Sequence, residues 1–214
     1  MTAATHPGFL SVATAIAAAG RDLCGCGWLP ATSGNLSVRL DRNSFAITVS
    51  GRDKGRLTAD DIMRVDLAGE PLSPGRPSAE TLLHTSLYRW SNDIGAVLHT
   101  HGRTSTVLGL RHAGRDRVVL KGYELLKAFA GIETHATRLA FPIFENTQDI
   151  AALADDVIAR LDGSPPPCYG YLIRGHGTYV WGRDLDEARR HLEALEYLVA
   201  CELALTCPDL SEET

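Results

Sequence analysis

The sequence predicts a single α/β domain, and three observations carry that expectation. The 214 residues suffice for one full core and are too few for two comfortable ones. From about residue 95 onward, apolar runs of strand length alternate with stretches of helical spacing. No repeat or low-complexity tract divides the chain, and Ser164-Pro165-Pro166-Pro167 reads as a stiff loop rather than a linker, so residues 1–214 form one domain with a core over about 10–204.

The elements follow in order. Residues 8–27 carry Phe9, Val12, Ile16 and Leu23 at near-helical spacing among alanines, a helix that ends near Gly25 and Gly27. Segments 36–40 and 45–49 flank Asp41-Arg42-Asn43-Ser44 as a hairpin, and a strand at 63–67 meets the turn Ala68-Gly69-Glu70. Antiparallel pairing therefore dominates the first third. Ser78 caps a helix that runs to about Trp90. Strand 95–101, a helix from about 104, strand 117–121, a helix from about 124, a strand near 140–144, helix 149–161 and strands 169–174 and 178–181 come next. Asp184 and Glu187 form an Asp-x-x-Glu variant of the capping box, and Leu185, Ala188, Leu192, Leu195 and Val199 mark a long amphipathic terminal helix.

Composition narrows the function. The formal net charge is -5 and no basic run appears, which argues against a nucleic-acid surface. No signal-peptide pattern opens the chain and no apolar stretch approaches the ~20 residues that span a bilayer, so a soluble, cytoplasmic protein is expected. Five cysteines without framework spacing fit a reducing compartment. Cys24-x-Cys26 is not a Cys-x-x-Cys motif, and the cysteines read as buried or half-buried small apolar residues.

Chemistry concentrates at Val97-Leu98-His99-Thr100-His101. Side chains at i and i+2 of a strand share a face, so His99 and His101 can turn both imidazoles to one ion while Thr100 points away. Alone, the pair fits a hydrogen-bonded strand end as well. A third histidine lies in Arg174-Gly175-His176-Gly177, where glycines permit close backbone approach. Three histidines and an open position are the usual form of a catalytic zinc site. His6, His84, His112, His135 and His191 lack such spacing, and His84 and His191 fall in helical patterns that suit packing or surface roles.

Three small-residue clusters precede the histidines: Thr32-Ser33-Gly34-Asn35, Ser50-Gly51 followed by Lys54, and Pro77-Ser78. Singly each is an ordinary turn or cap; converging, they form a phosphate cradle, though not a Walker loop. Glu80 and Glu124 each open a helix, where a carboxylate suits the helix dipole. Beside a metal, either becomes a candidate acid or base.

Gly34-Asn35-Leu36-Ser37-Val38-Arg39, Ile47-Thr48-Val49-Ser50-Gly51, Pro77-Ser78-Ala79-Glu80, Val97 to His101 and Arg174 to Gly177 resemble, in order, the signatures of the class II aldolase/adducin family. The resemblance implies a three-layer α/β/α fold around a central, mainly antiparallel sheet, one zinc per subunit on His99, His101 and His176, and a homotetramer. It implies a sugar-phosphate substrate, with Asn35, Ser50, Gly51, Lys54 and Ser78 as the phosphate-binding residues. Tyr123-Glu124-Leu125-Leu126-Lys127-Ala128 and Tyr179-Val180-Trp181-Gly182 are most similar to the family's dehydratases, which act on a five-carbon ketose phosphate carrying a methylthio group. Their acid/base glutamate matches Glu124, whereas that of the family's aldolases matches Glu80, and this chain has both. An aldolase splitting a ketose 1-phosphate is the alternative. A non-catalytic, adducin-like assembly module is the remote one.

Overall fold

The computed structural model describes residues 8–163 and 167–205, so His6, Cys207 and all of the Ser164-Pro165-Pro166-Pro167 loop but Pro167 lie outside it. The helices are α1 (Phe9–Gly25), α2 (Thr81–Trp90), α3 (Arg103–Arg111), α4 (Ile150–Asp162) and α5 (Leu185–Leu205). The strands are β1 (Asn35–Arg39), β2 (Ser44–Thr48), β3 (Ile62–Asp66), β4 (Ala96–Thr100), β5 (Arg117–Lys121), β6 (Arg138–Phe144), β7 (Gly170–Ile173) and β8 (Gly177–Gly182). They form one sheet in the order β3-β2-β1-β4-β8-β7-β6-β5. Its described neighbours are antiparallel except β6 and β7, which run parallel.

Period-two side-chain alternation sorts the sheet into two apolar faces. Leu98 of β4, Leu172 of β7 and Val180 of β8 point to a layer built with Ile16, Leu108, Leu192 and Leu195 from α1, α3 and α5. Val97, Tyr171, Tyr179 and Trp181 point the other way, to Leu83, Leu87, Leu153 and Val157 from α2 and α4. The result is the three-layer α/β/α arrangement, and the alternation puts His99 on the α2 side with Val97.

Most elements end within two residues of the sequence expectation. The helix expected from about 124 is instead a five-residue 3-10 turn, Glu124–Ala128. Its buried anchors Leu126 and Phe129 are three apart, the period of a 3-10 turn, and Gly131 at φ 76° soon turns the chain away. Helix α2 starts later than its Ser78 cap implied: Ser78 Oγ accepts from the Glu80 N–H at 3.2 Å and ordered helix begins at Thr81. The capping box of α5 is offset. Asp184 Oδ1 accepts from the Glu187 N–H at 2.8 Å, but the Glu187 carboxylate answers to the Arg183 N–H at 3.1 Å. Cys24, Cys168 and Cys201 are half-buried, whereas Cys26 is exposed, against expectation; all four are free thiols. No described helix is long and apolar enough to cross a membrane.

Candidate metal centre and anion pocket

The sheet assembles the centre. His99 lies within β4 and His101 just beyond it, and β4 pairs with β8 so that His99 opposes Tyr179 and Thr100 opposes Thr178. The turn carrying His176 therefore abuts His101. Glycine is required there, because a Cβ on Gly177 would stand 1.9 Å from the Thr100 carbonyl oxygen, while Gly175 turns the chain at φ 65°. His101 Nε2 lies 3.0 Å from His99 Nε2 and 3.1 Å from His176 Nε2. Glu80 completes the group, with Oε1 3.1 Å from His176 Nε2 and Oε2 3.4 Å from His99 Nε2.

These donors fit a divalent metal. Four-coordinate zinc with bonds of about 2.0–2.1 Å puts its nitrogens roughly 3.3 Å apart, close to the spacing seen. His99 Nδ1 lies 2.9 Å from the Thr178 carbonyl, which can only accept, so the ring proton sits on Nδ1 and Nε2 presents its lone pair inward. The His99 ring stacks on Tyr179 at 4.1 Å, fixing its plane. Burial, with neighbouring histidines, pushes His101 down to about 3, so its imidazole is neutral as a ligand must be. Burial alone would raise the Glu80 carboxyl, but hydrogen bonds and positive charge from His176 and His99 hold it well below the usual carboxylate range. A bound cation would take over that role once the imidazoles turn their lone pairs inward.

Next to the donors lies a cavity of about 140 Å³ whose lining includes Ser33, Asn35, Ser50, Gly51, Lys54 and Ser78, with Glu80 and His101 on its wall. The three sequence clusters thus converge. Gly34, at φ 73°, lets the first cluster close in, since a Cβ there would meet the His99 carbonyl oxygen at 2.7 Å. Lys54 is buried, and its ammonium donates to the carbonyls of Thr32 at 2.8 Å and Arg52 at 2.9 Å. Desolvation lowers its pKa, with Asp53 and Glu80 pulling the other way. Asn35 lines the same cavity, and its side chain spans to the metal group: Nδ2 donates to Glu80 Oε2 at 2.9 Å and Oδ1 takes His84 Nε2.

Glu124 is not brought to this centre within one chain. Its side chain is 71% exposed, paired with Lys127 and 3.7 Å from His135 Nδ1. It lines a separate open cavity with Tyr123, Leu125, Tyr197 and Leu198. His84 and Glu196 are residues near the centre that sequence reasoning did not single out for it. Glu196 is buried beneath Gly102, whose Cβ would stand 2.4 Å from its Oε1, and accepts from Ser105 Oγ at 2.9 Å.

Fold and donor set together define a class: the chain belongs to the class II aldolase and adducin N-terminal domain family, whose profile matches residues 14–203. Among its relatives are methylthioribulose-1-phosphate dehydratases. That of Xanthomonas campestris pv. campestris is 57% identical over 186 residues, 86% of this chain and 85% of the relative. That of Pseudomonas aeruginosa is 56% identical over 86% of this chain and 90% of the relative. Similar solved structures include l-fuculose-1-phosphate aldolase from Thermus thermophilus, with a TM-score of 0.72 at 26% identity over 94% of this chain and 96% of that one. YgbL from Escherichia coli, a putative aldolase/epimerase/decarboxylase, shares the fold with a TM-score of 0.80 at 24% identity, over 94% and 92% of the two chains.

Proposed function

We propose that this chain is a metal-dependent hydro-lyase that dehydrates 5-methylthioribulose 1-phosphate to 5-methylthio-2,3-dioxopentyl 1-phosphate in methionine salvage. The observation that carries it is the convergence of three imidazole nitrogens and a carboxylate beside a small-residue pocket holding a buried lysine. The dehydratase relatives supply the substrate. Zinc, one per subunit, is the proposed ion, held by His99, His101 and His176. When bound, it polarises the substrate carbonyl and lowers the barrier to removing the neighbouring proton.

The chain's own residues do the rest. Lys54, with Ser50, Gly51 and Ser78, binds the phosphate and so sets where the carbon chain lies. Asn35 belongs to the same wall and steadies Glu80. Glu124 takes the proton from C3 and returns one to the C4 hydroxyl, which leaves as water; the enol left across C3 and C4 tautomerises to the diketone. Since Glu124 stands away from the histidines of its own chain, it reaches the reaction from a neighbouring copy, which makes the working form a homo-oligomer. We assign it as a homotetramer, and as cytoplasmic in keeping with the four free cysteines among the described residues.

A second reading, a class II aldolase, is favoured by one observation: Glu80, not Glu124, touches the imidazoles. Product analysis separates the two. Purified protein given methylthioribulose 1-phosphate is expected to release water and diketone, and fuculose 1-phosphate is expected to give no aldehyde. Glu124→Gln should keep its metal and lose about two to four orders of magnitude in rate, and Glu80→Gln should lose less. Co-expressed Glu124→Gln and His176→Ala subunits should regain activity that neither has alone. Aldehyde release, or turnover abolished only by Glu80→Gln, would hand the assignment to the aldolase.

A further inference from the structure

Glu80 is the outer end of a hydrogen-bond chain that runs into the core between β1 and α2. Strand spacing puts Asn35, Ser37 and Arg39 on one face of β1, and helical spacing lines up His84 and Tyr88 of α2 with Glu80, its N-cap residue. Glu80 Oε2 accepts from Asn35 Nδ2 at 2.9 Å. Asn35 Oδ1 then faces His84 Nε2, and an amide oxygen only accepts, so Nε2 carries the ring proton. His84 Nδ1 is left with its lone pair and accepts from Ser37 Oγ at 2.7 Å. Ser37 has given its one proton, so its oxygen accepts from the Tyr88 hydroxyl at 2.8 Å. Arg39 closes the inner end, with Nη2 donating to the Tyr88 carbonyl at 2.7 Å and its guanidinium 4.7 Å from the ring centre.

Every donor points toward the carboxylate. Ser37, His84 and Tyr88 are fully buried and Asn35 is 3% exposed, so water does not substitute for a missing link. Packing alone would not impose this polarity. A buried histidine that only filled space against Tyr179, whose ring lies 5.6 Å away, would need neither a defined tautomer nor an amide between it and a carboxylate.

We propose that His84 is a positioning residue for the metal centre: through Asn35 it holds the Glu80 carboxylate in one orientation against His99 and His176. Burial pushes His84 down to about 3, so the ring stays neutral and works as a fixed donor and acceptor rather than as a charge. The inference rests on the reading of Glu80 as part of the reaction centre.

Its first test needs no reaction. Nitrogen-15 spectra of the imidazoles in the full, metal-free chain should find His84 as the neutral Nε2–H tautomer from pH 6 to 8. The Nδ1–H tautomer would reverse the chain and overturn the proposal. In the zinc-loaded enzyme, His84→Leu should lower kcat by about 10-fold to 100-fold with KM little changed, the usual effect of losing a partner behind a metal site. His84→Gln, whose amide both donates and accepts, should recover most of the loss. In a Glu80→Gln background the effect of His84→Leu should shrink to less than about 2-fold, because both act through one carboxylate. Losses that multiply, or equal losses for Leu and Gln, would reduce His84 to a packing residue. If His84→Leu does not fold, Asn35→Ala interrupts the chain one link nearer Glu80 and must show the same coupling in kcat. An enzyme inactive on the proposed substrate would defeat the function and leave the tautomer to decide this inference.

Discussion

Replacing Lys54 by methionine keeps the aliphatic stem and removes the ammonium. The Lys54 side chain is almost wholly buried, and two of its three N–H groups are spent on the Thr32 and Arg52 carbonyls, leaving one for a ligand in the adjoining cavity. A hydrogen bond between a charged donor and a phosphate is worth about 1.5–3 kcal/mol, or roughly 10-fold to 150-fold in kcat/KM. On the proposed role, the phosphate is held equally in ground and transition states, so the loss belongs in KM. The same substitution strands two carbonyls, at a further stability cost of about 1–3 kcal/mol, and thermal melts should accompany the kinetics. Steady-state assays of Lys54→Met should find KM raised by one to two orders of magnitude with kcat near wild type. Inhibition by inorganic phosphate should weaken in parallel. An unchanged KM, with the loss confined to kcat, would remove Lys54 from the phosphate cradle.

Other outcomes follow from the same geometry. His176→Ala removes one imidazole of three, so metal content by mass spectrometry and turnover should fall together; full metal with full turnover would mean the site is elsewhere. Gly177→Ala forces a methyl against the Thr100 carbonyl and should destabilise the fold by about 1–3 kcal/mol or more while loosening metal retention, and a melt unchanged from wild type would contradict the contact. Burial raises the Glu196 carboxyl to about 7, so between about 4.5 and 7 the folded chain holds a proton that the unfolded chain has released, and stability falls as pH rises through that window. Glu196→Gln removes the titration, and its melting temperature should gain on wild type from pH 5 to 8, by up to about 3 kcal/mol of stability; a difference independent of pH would refute the assignment.

The convergent histidines were legible in the sequence because their signals are local. The two-residue step from His99 to His101 is a strand periodicity, and the glycines around His176 mark a close approach before the partner is known. The three small-residue clusters were legible as turns, and they share one cavity beside the histidines. What stayed hidden depends on distant pairing. Nothing near residue 99 announces that residue 179 lies across from it, so the sheet order, and the Thr178 carbonyl that fixes the His99 tautomer, were out of reach. His84 was hidden for another reason. Glu80, His84 and Tyr88 at four-residue steps look like any half-buried helical stripe until β1 supplies Asn35 and Ser37 opposite. Glu124 was visible as a carboxylate but not as an exposed one, since the 3-10 turn that carries it has no pattern distinct from a helix start.

Three of the four donors sit on or just beyond the paired ends of β4, β7 and β8, and the fourth at the start of α2, with Gly177 letting one strand press against the next. Strand register therefore sets the spacing of the imidazoles. A slip of one residue between β4 and β8 would turn His99 to the opposite face of the sheet and scatter the group, so the pairing of Thr100 with Thr178 guards the centre as much as the fold.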